Sequence, residues 1–135
     1  MAAIYIAAVA AHMAGGVEPS SIGHEAPAIV ELPWPEPHVG QGRIEGEVLL
    51  GDRFGNLITN VPAALMADMF GDAGVLITLG GRPVGGRARG YAGIEGHLGA
   101  VINGTGLLEI AVHEGSAAAL TGGRRSDRVV VTGRI

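Results

Sequence analysis

Apolar and polar residues follow a short-period pattern over most of the chain. In residues 43–50, "RIEGEVLL", the two kinds alternate, which is typical of a strand with one buried face. Short apolar runs also recur along the sequence, at residues 56–60, 74–81, 83–91, 98–103, 107–113 and 128–135. Because most of these runs have no helix-length connection between them, the pattern predicts a mainly β fold, an antiparallel barrel or sandwich of about seven short strands.

Three stretches favour helix instead. Residues 2–14 lack strong helix breakers and are followed by two glycines, which predicts an N-terminal helix. In residues 61–70, "VPAALMADMF", Pro62 stands at a first-turn position and Asn60 is a plausible N-cap, so a short helix is predicted there. Residues 116–120, "SAAAL", predict one or two helical turns. The barrel or sandwich is therefore expected to carry one or two short helices.

Proline marks the boundary between the N-terminal helix and the β-rich part. Residues 17–42 contain five of the seven prolines of the chain, and the run "PWPEP" fits neither a helix nor a central strand. This stretch is therefore a linker or an extended edge segment, and we divide the sequence into a helix at 1–16, a linker at 17–42 and a β domain at 43–135.

Composition narrows the function classes. The 135 residues are 47% hydrophobic and 16% charged, which is typical of a globular protein, and the net charge of −4 without basic runs argues against nucleic-acid binding. Cysteine is absent, which excludes disulfides and thiolate metal sites and fits a cytoplasmic protein. The apolar N-terminal stretch lacks a basic region and is too short to span a bilayer, so neither secretion nor a membrane anchor is predicted.

Generic catalytic motifs are missing from the sequence. The five histidines show no metal-ligand spacing such as HExxH, and the glycine-rich segments match neither a dinucleotide-binding nor a phosphate-binding loop. No nucleophile elbow is present either. From these motifs alone the chain is a β-rich domain without an assigned chemistry, and no metal site is predicted.

One segment carries more polar groups than a core strand needs. Residues 51–60, "GDRFGNLITN", place Asp52, Asn56, Thr59 and Asn60 around the aromatic Phe54. These groups are either ligand-binding residues or the parts of an Asx-type turn and a helix cap. From the residues alone both interpretations stay open for Asp52, Phe54 and Asn56, whereas capping preference assigns Asn60, with Thr59, to the turn into the next helix.

The order of three segments resembles a known family. "GEVLLGDRFGNLITNV" (46–61) followed by "INGTGLLEIAVHEGSAA" (102–118) is similar to the C-terminal domain of the S-adenosyl-L-methionine (SAM) hydroxide adenosyltransferases, which are related to the SAM-dependent fluorinases and chlorinases. The opening "IYIAAVAAHMAGGV" resembles the helix that ends the N-terminal domain of that family. The resemblance covers nearly all of this chain and only the latter half of a family member.

The resemblance implies a set of SAM-binding residues. Phe54 and Tyr91 would pack against the adenosyl group, because an aromatic face attracts a purine without needing a hydrogen-bond partner. Asn56 would bond the adenine or hold the loop that does. Asp52 would pair with the ammonium of the methionine part.

Two further turns match positions that bind the ends of SAM in the family. Gly104 and Thr105 would bind the methionine carboxylate through backbone N–H and side chain. His113 and Glu114 would lie near the adenine edge, where His113 replaces the asparagine that is usual there. Tyr91 lies in "GYAGIEG", which lacks an aspartate often found after the aromatic residue.

The resemblance also implies an activity and partners. The family cleaves SAM with water into adenosine and L-methionine, with SAM as substrate and no separate cofactor. Its water-activating residues belong to the N-terminal domain, so we expect no catalytic residue in this chain. In the family SAM lies between subunits of a trimer, and the expected partners are therefore SAM or adenosine and either further copies or a separate N-terminal domain.

Two alternatives to half of a hydrolase stay open. One is a non-catalytic module that binds SAM or adenosine or serves in oligomerisation. The other is half of a SAM-dependent halogenase, which Ile58 disfavours because the halide-using relatives tend to have an aromatic residue at that position.

Overall fold

The computed structural model describes residues 2–94 and 98–134, which fall into two compact units, Met1–Pro33 and Trp34–Ile135. The first unit contains α1 (Ala2–Ala14) and the short α2 (Pro19–Ile22). The predicted N-terminal helix is confirmed, and its apolar side chains, such as Ile4 and Ile6, are exposed. Among the described residues, no helix combines the length and the apolar character that crossing a bilayer demands.

The second unit is a nearly closed barrel. Its strands in the described residues are β1 (His38–Gly40), β2 (Arg43–Gly51), β3 (Leu57–Pro62), β4 (Val75–Leu79), β5 (Arg82–Val84), β6 (Gly99–Ile102), β7 (Leu107–Ala111) and β8 (Arg128–Gly133). They pair antiparallel in the order β5-β4-β8-β2-β3-β7-β6, with β1 added to β2. Two backbone bonds link the ends of the sheet, from Gly85 N to Leu98 O and from Ala88 N to Ala100 O. The predicted antiparallel β fold is confirmed.

The barrel has an inner core and a smaller outer cluster. Alternate residues of the strands fill the interior, and the largest of them are Ile44, Leu57, Ile77, Leu108 and Ile110. A second cluster, formed by Ile94, Val101 and Ala111, lies apart from this core. Since side chains alternate along a strand, β7 directs Leu108 and Ile110 inward and Glu109 and Ala111 outward toward this second cluster.

Two short helices complete the barrel. α3 (Ala63–Phe70) follows β3, and α4 (Ala117–Thr121) follows β7. Both predicted helical stretches are confirmed, but the capping of the first was wrong. The N-cap of α3 is Pro62, while Asn60 is a buried residue of β3 whose side chain accepts from Glu47 N at 2.7 Å and donates to Pro35 O at 2.8 Å. The side chain of Asn60 therefore joins β2 to the preceding segment.

Three other expectations need correction. Thr59 belongs to the strand rather than to a turn, and its hydroxyl donates to Leu108 O on β7 at 2.8 Å. The strand expected over 83–91 is limited to β5, because the chain then turns away from β4 and reaches a 3₁₀ turn at Tyr91–Gly93. The region expected to be a linker or an extended edge segment contains the short helix α2 as well as the strand β1, which pairs with β2.

Candidate functional site

The side chain of Asp52 closes the loop between β2 and β3 through hydrogen bonds within the loop. Asp52 Oδ1 accepts from Phe54 N at 2.8 Å and from Asn56 N at 2.9 Å, and Asp52 Oδ2 accepts from Asn56 Nδ2 at 3.2 Å. The backbone adds a bond from Asp52 N to Asn56 O at 2.9 Å. The Asx-type arrangement that the sequence allowed is therefore present, with Asp52 as the acceptor.

This loop has an exposed aromatic face beside a largely buried amide. The Phe54 side chain is 61% exposed, and the guanidinium carbon of Arg53 lies 4.6 Å from its ring centroid. Within the described residues, the hydrogen bonds of the Asn56 side chain use one amide N–H. The Asn56 side chain is only 9% exposed, and its carbonyl oxygen and second N–H make no hydrogen bond to the described residues.

Gly55 fixes the loop against the beginning of α4. Gly55 O accepts from Ala118 N at 2.8 Å, and the φ of Gly55 is +82°, a conformation that suits glycine. Ser116 Oγ caps α4 by accepting from Ala119 N at 3.0 Å, and it lies directly against the Cα of Gly55. The loop at 52–56 and the residues that precede α4 are thus packed together.

The exposed residues His113 and Glu114 belong to the turn before α4. Val112 and Gly115 form an isolated antiparallel bridge around them, and Glu114 has a φ of +55°. This turn runs directly into Ser116, which contacts the loop of Asp52, Phe54 and Asn56. The structure therefore places His113 and Glu114 on the same end of the barrel as that loop.

Tyr91 is joined to the barrel by a buried carboxylate. Its hydroxyl donates to Glu109 Oε1 at 2.6 Å, and Glu109, on β7, is only 3% exposed. This hydrogen bond, burial and the charges of Glu109 and Asp52 raise the pKa of Tyr91 to about 12. Glu109 pairs with Ile58 of β3, two residues after Asn56, so this hydrogen bond places the Tyr91 hydroxyl beside the end of β3 that follows the Asp52 loop.

Glu109 itself was missed in the sequence. The signal was a carboxylate in the middle of the apolar run "LLEIAV". In a strand that is buried on both sides, a carboxylate is costly unless it is paired with another polar group. Its partner lies 18 residues away in a loop without a regular pattern, so the pairing was not visible.

The raised pKa of Tyr91 predicts a distinct titration. Its neutral form is favoured by folding, so the associated stability is complete below the ordinary tyrosine pKa of about 10 and is lost as pH rises through about 12. In a Tyr5→Phe background, which leaves Tyr91 as the sole tyrosine, we expect phenolate absorbance to appear with a midpoint of about 12. A midpoint of about 10 in protein still folded by circular dichroism would contradict this geometry.

Gly104 and Thr105 occupy the turn between β6 and β7. Asn103 Oδ1 accepts from Thr105 N at 3.0 Å, from Thr105 Oγ1 at 2.7 Å and from Leu107 N at 3.1 Å. The donors of Thr105 are therefore already used within the turn. The turn also lies at the opposite end of β7 from His113, about 17 Å away for a five-residue strand, so the structure does not bring it together with the Asp52 loop.

The described residues contain no group of three or more histidine, aspartate or glutamate side chains that could hold a metal ion. The electrostatics of the candidate site come instead from Asp52 and Glu109, with Arg53 stacked on Phe54. The site is an open surface with one aromatic residue from the loop and another, Tyr91, from the segment after β5.

A nearly closed antiparallel barrel with this loop defines a mainly β domain, and the comparisons with known proteins identify its family. The model of the SAM hydroxide adenosyltransferase C-terminal domain matches residues 46–130, which is more than half of the chain. The chain therefore belongs to this family, and the resemblance drawn from its sequence is confirmed.

Relatives extend the match beyond the barrel. The chain is 39% identical over 113 residues to a protein of Thermus thermophilus named (R)-S-adenosyl-L-methionine hydrolase, a match that covers 82% of this chain and 40% of the relative. A crystal structure of an uncharacterised conserved protein from Thermotoga maritima superposes with a TM-score of 0.70 at 28% identity, covering 92% of this chain and 49% of that one.

A second solved structure, of a conserved hypothetical protein from Thermus thermophilus, has a TM-score of 0.60 at 35% identity and covers 90% of this chain and 49% of the other. The chain thus spans less than half the length of the relatives it matches.

Proposed function

We propose that this chain binds SAM and supplies the C-terminal binding surface of a SAM hydrolase. Its membership in the SAM hydroxide adenosyltransferase family and its 39% identity to a protein named as a SAM hydrolase support this function. The observation that carries it is the loop at 52–56, which presents an exposed aromatic ring beside an amide that, among the described residues, uses only one N–H in hydrogen bonding.

The adenosyl group would bind to the loop. Arg53 already stacks on the Phe54 ring, so the base would lie against the remaining aromatic surface, with Tyr91 as a second contact. A purine stacks on such a face without a directional requirement, and the free oxygen of Asn56 would accept from the exocyclic amine of adenine. His113 and Glu114 are at the same end of the barrel and would complete the adenine edge.

The methionine part would bind through charge. Asp52 accepts three N–H groups within its loop, and a carboxylate has about four acceptor positions, so one position remains for the ammonium group of SAM. Gly104 and Thr105 would bind the carboxylate only if the ligand extends along β7 or if the turn comes from a neighbouring copy in a trimer.

The reaction would be a displacement at C5′ of the ribose. The oxygen of water forms a bond to C5′ while the C5′–S bond breaks, its electrons remain on sulfur as the thioether of methionine, and the water proton is lost to solvent or a base. The sulfonium is already a good leaving group, so binding has to position the water and remove its solvent. We assign water activation to residues outside these 135 and propose a cytoplasmic protein that needs no cofactor.

A non-catalytic binding module is the second candidate. It is favoured by the hydrogen bonds that Asp52 and Asn103 make within their own turns, because these bonds would also occur in a purely structural hairpin. Adding an N-terminal domain of the Thermus thermophilus hydrolase to this chain separates the candidates. Release of adenosine from SAM only in the mixture would support the hydrolase, and SAM binding without adenosine release would support the module.

Binding itself can be measured by calorimetry with SAM, adenosine and methionine on the full chain. We expect Phe54→Ala to weaken SAM binding about tenfold, because the loss of one base–aromatic stack costs about 1–3 kcal/mol. Leu76→Ala is the matched control, since Leu76 is a similarly exposed apolar residue on β4. Equal affinities for both variants would contradict the assigned role of Phe54, and no heat with any of the three compounds would overturn binding by this chain alone.

A further inference from the structure

Glu109 is a buried charge that the proposed binding of SAM does not use directly. It lies on the outward side of β7, opposite Val101 of β6 and next to Ala111, both of which belong to the outer apolar cluster. A carboxylate in such surroundings is costly unless it is hydrogen-bonded. Its presence therefore has to be explained by the group it binds.

That group is the hydroxyl of Tyr91. The distance of 2.6 Å between Tyr91 Oη and Glu109 Oε1 is short, as expected when the acceptor is a carboxylate. The tyrosine side chain has two rotatable torsions, and a hydrogen bond from its hydroxyl to a strand of the barrel fixes the orientation of the ring.

Among the described residues, the segment that carries Tyr91 is attached to the barrel at a few points. Residues 85–94 leave the barrel after β5, and backbone bonds hold the segment at Gly85 and Ala88, before the 3₁₀ turn. From the turn onward, the buried Ile94 and the Tyr91 hydroxyl provide its contacts with β6 and β7. Tyr91 is thus held at both its backbone and its hydroxyl, while its ring remains 45% exposed.

We propose that Glu109 is a positioning residue of the ligand site, which holds the Tyr91 ring ready to receive the adenosyl group. The inference rests on the proposed binding of SAM. With only 3% of its surface exposed, Glu109 itself does not reach a ligand and acts through Tyr91. A ring fixed in advance avoids the entropy cost of ordering the segment when the ligand binds.

The test is a double-mutant cycle on the full chain, with SAM affinity measured by calorimetry. We expect Tyr91→Phe and Glu109→Ala each to weaken binding about tenfold, and the double variant to be no weaker than the weaker single variant, because both changes remove the same contact. Glu109→Gln keeps an acceptor for the hydroxyl and should lose less than about threefold. Asp68→Ala, which removes an exposed carboxylate on α3, should leave the affinity unchanged.

Additive losses in the cycle, or a loss in Glu109→Gln as large as in Glu109→Ala, would overturn the proposal. If Glu109→Ala fails to fold, the other two single variants still test the proposal. It requires Glu109→Gln to bind SAM well and Tyr91→Phe to bind SAM poorly.

A second measurement does not depend on the ligand. In the Tyr5→Phe background, Glu109→Gln should move the Tyr91 titration midpoint from about 12 toward the ordinary value of about 10. An unchanged midpoint would show that Glu109 does not hold Tyr91. Absence of SAM binding in the unsubstituted chain would instead overturn the proposed function and with it the site role of Glu109, so the two failures are distinguishable.

Discussion

Asn60→Ala is expected to lower the free energy of unfolding of the barrel by about 3 kcal/mol. Asn60 is 2% exposed, and its side chain satisfies the backbone N–H of Glu47 and the backbone carbonyl of Pro35. Alanine removes both partners at once, and each unsatisfied buried group costs about 1–3 kcal/mol. Urea unfolding followed by circular dichroism measures the difference.

The control for this variant is Gln41→Ala, which removes an exposed amide from the turn after β1 and should change the unfolding free energy by less than about 0.5 kcal/mol. A loss below about 1 kcal/mol in Asn60→Ala would mean that water replaces the amide in the variant, and that the side chain is not required to hold β2 to the segment at Pro35.

Asn60 also shows where sequence reasoning reached its limit. Asparagine two residues before a proline that begins a helix is a common capping pattern, and this local preference predicted an N-cap. The observed bonds join Asn60 to residues 13 and 25 positions away. Since such partners are set by the pairing of β2 with β3, no preference of the local segment could have revealed them.

The strands could be predicted where burial leaves either an alternating pattern or an apolar run in the sequence. β2 alternates, and β4, β7 and β8 are apolar runs, so all four could be found. β1 was not found, because it lies next to a proline-rich stretch and its hairpin with β2 uses Gln41 and Gly42. Both residues have positive φ, at 49° and 72°. Two positive φ values in succession define a two-residue hairpin turn that usually carries asparagine or aspartate before glycine.

The candidate site likewise combines contacts that the sequence could reveal with contacts that it could not. The bonds among Asp52, Phe54 and Asn56 stay within five residues, so the crowding of polar groups in the sequence was a sufficient signal. The contact between Tyr91 and Glu109 requires β7 to lie beneath the segment after β5, and this depends on the closure of the barrel. The sequence identified the aromatic residue through family resemblance but not the carboxylate that holds it.

Gly55→Ala should affect both the stability of the fold and the proposed binding of SAM. Gly55 has a φ of +82°, and a Cβ at this position would overlap the side chain of Ser116, coming within 2.7 Å of Ser116 Cβ. The strained backbone costs about 1–2 kcal/mol and the overlap about 1–3 kcal/mol, so we expect the unfolding free energy to fall by about 2–5 kcal/mol. Because Phe54 and Asn56 flank this glycine, SAM affinity should fall in protein that remains folded.

Two further variants test the two causes of this loss of stability, backbone strain at residue 55 and overlap with Ser116. Gly40→Ala is the matched control, since Gly40 is a strand residue with open space around its Cα and no positive φ, and it should change the unfolding free energy little. Adding Ser116→Gly to Gly55→Ala removes the overlap and should recover that part of the loss while the backbone strain remains. If Gly55→Ala is as stable as Gly40→Ala, the loop does not rest on the beginning of α4, and the grouping of Phe54 and Asn56 with His113 and Glu114 is wrong.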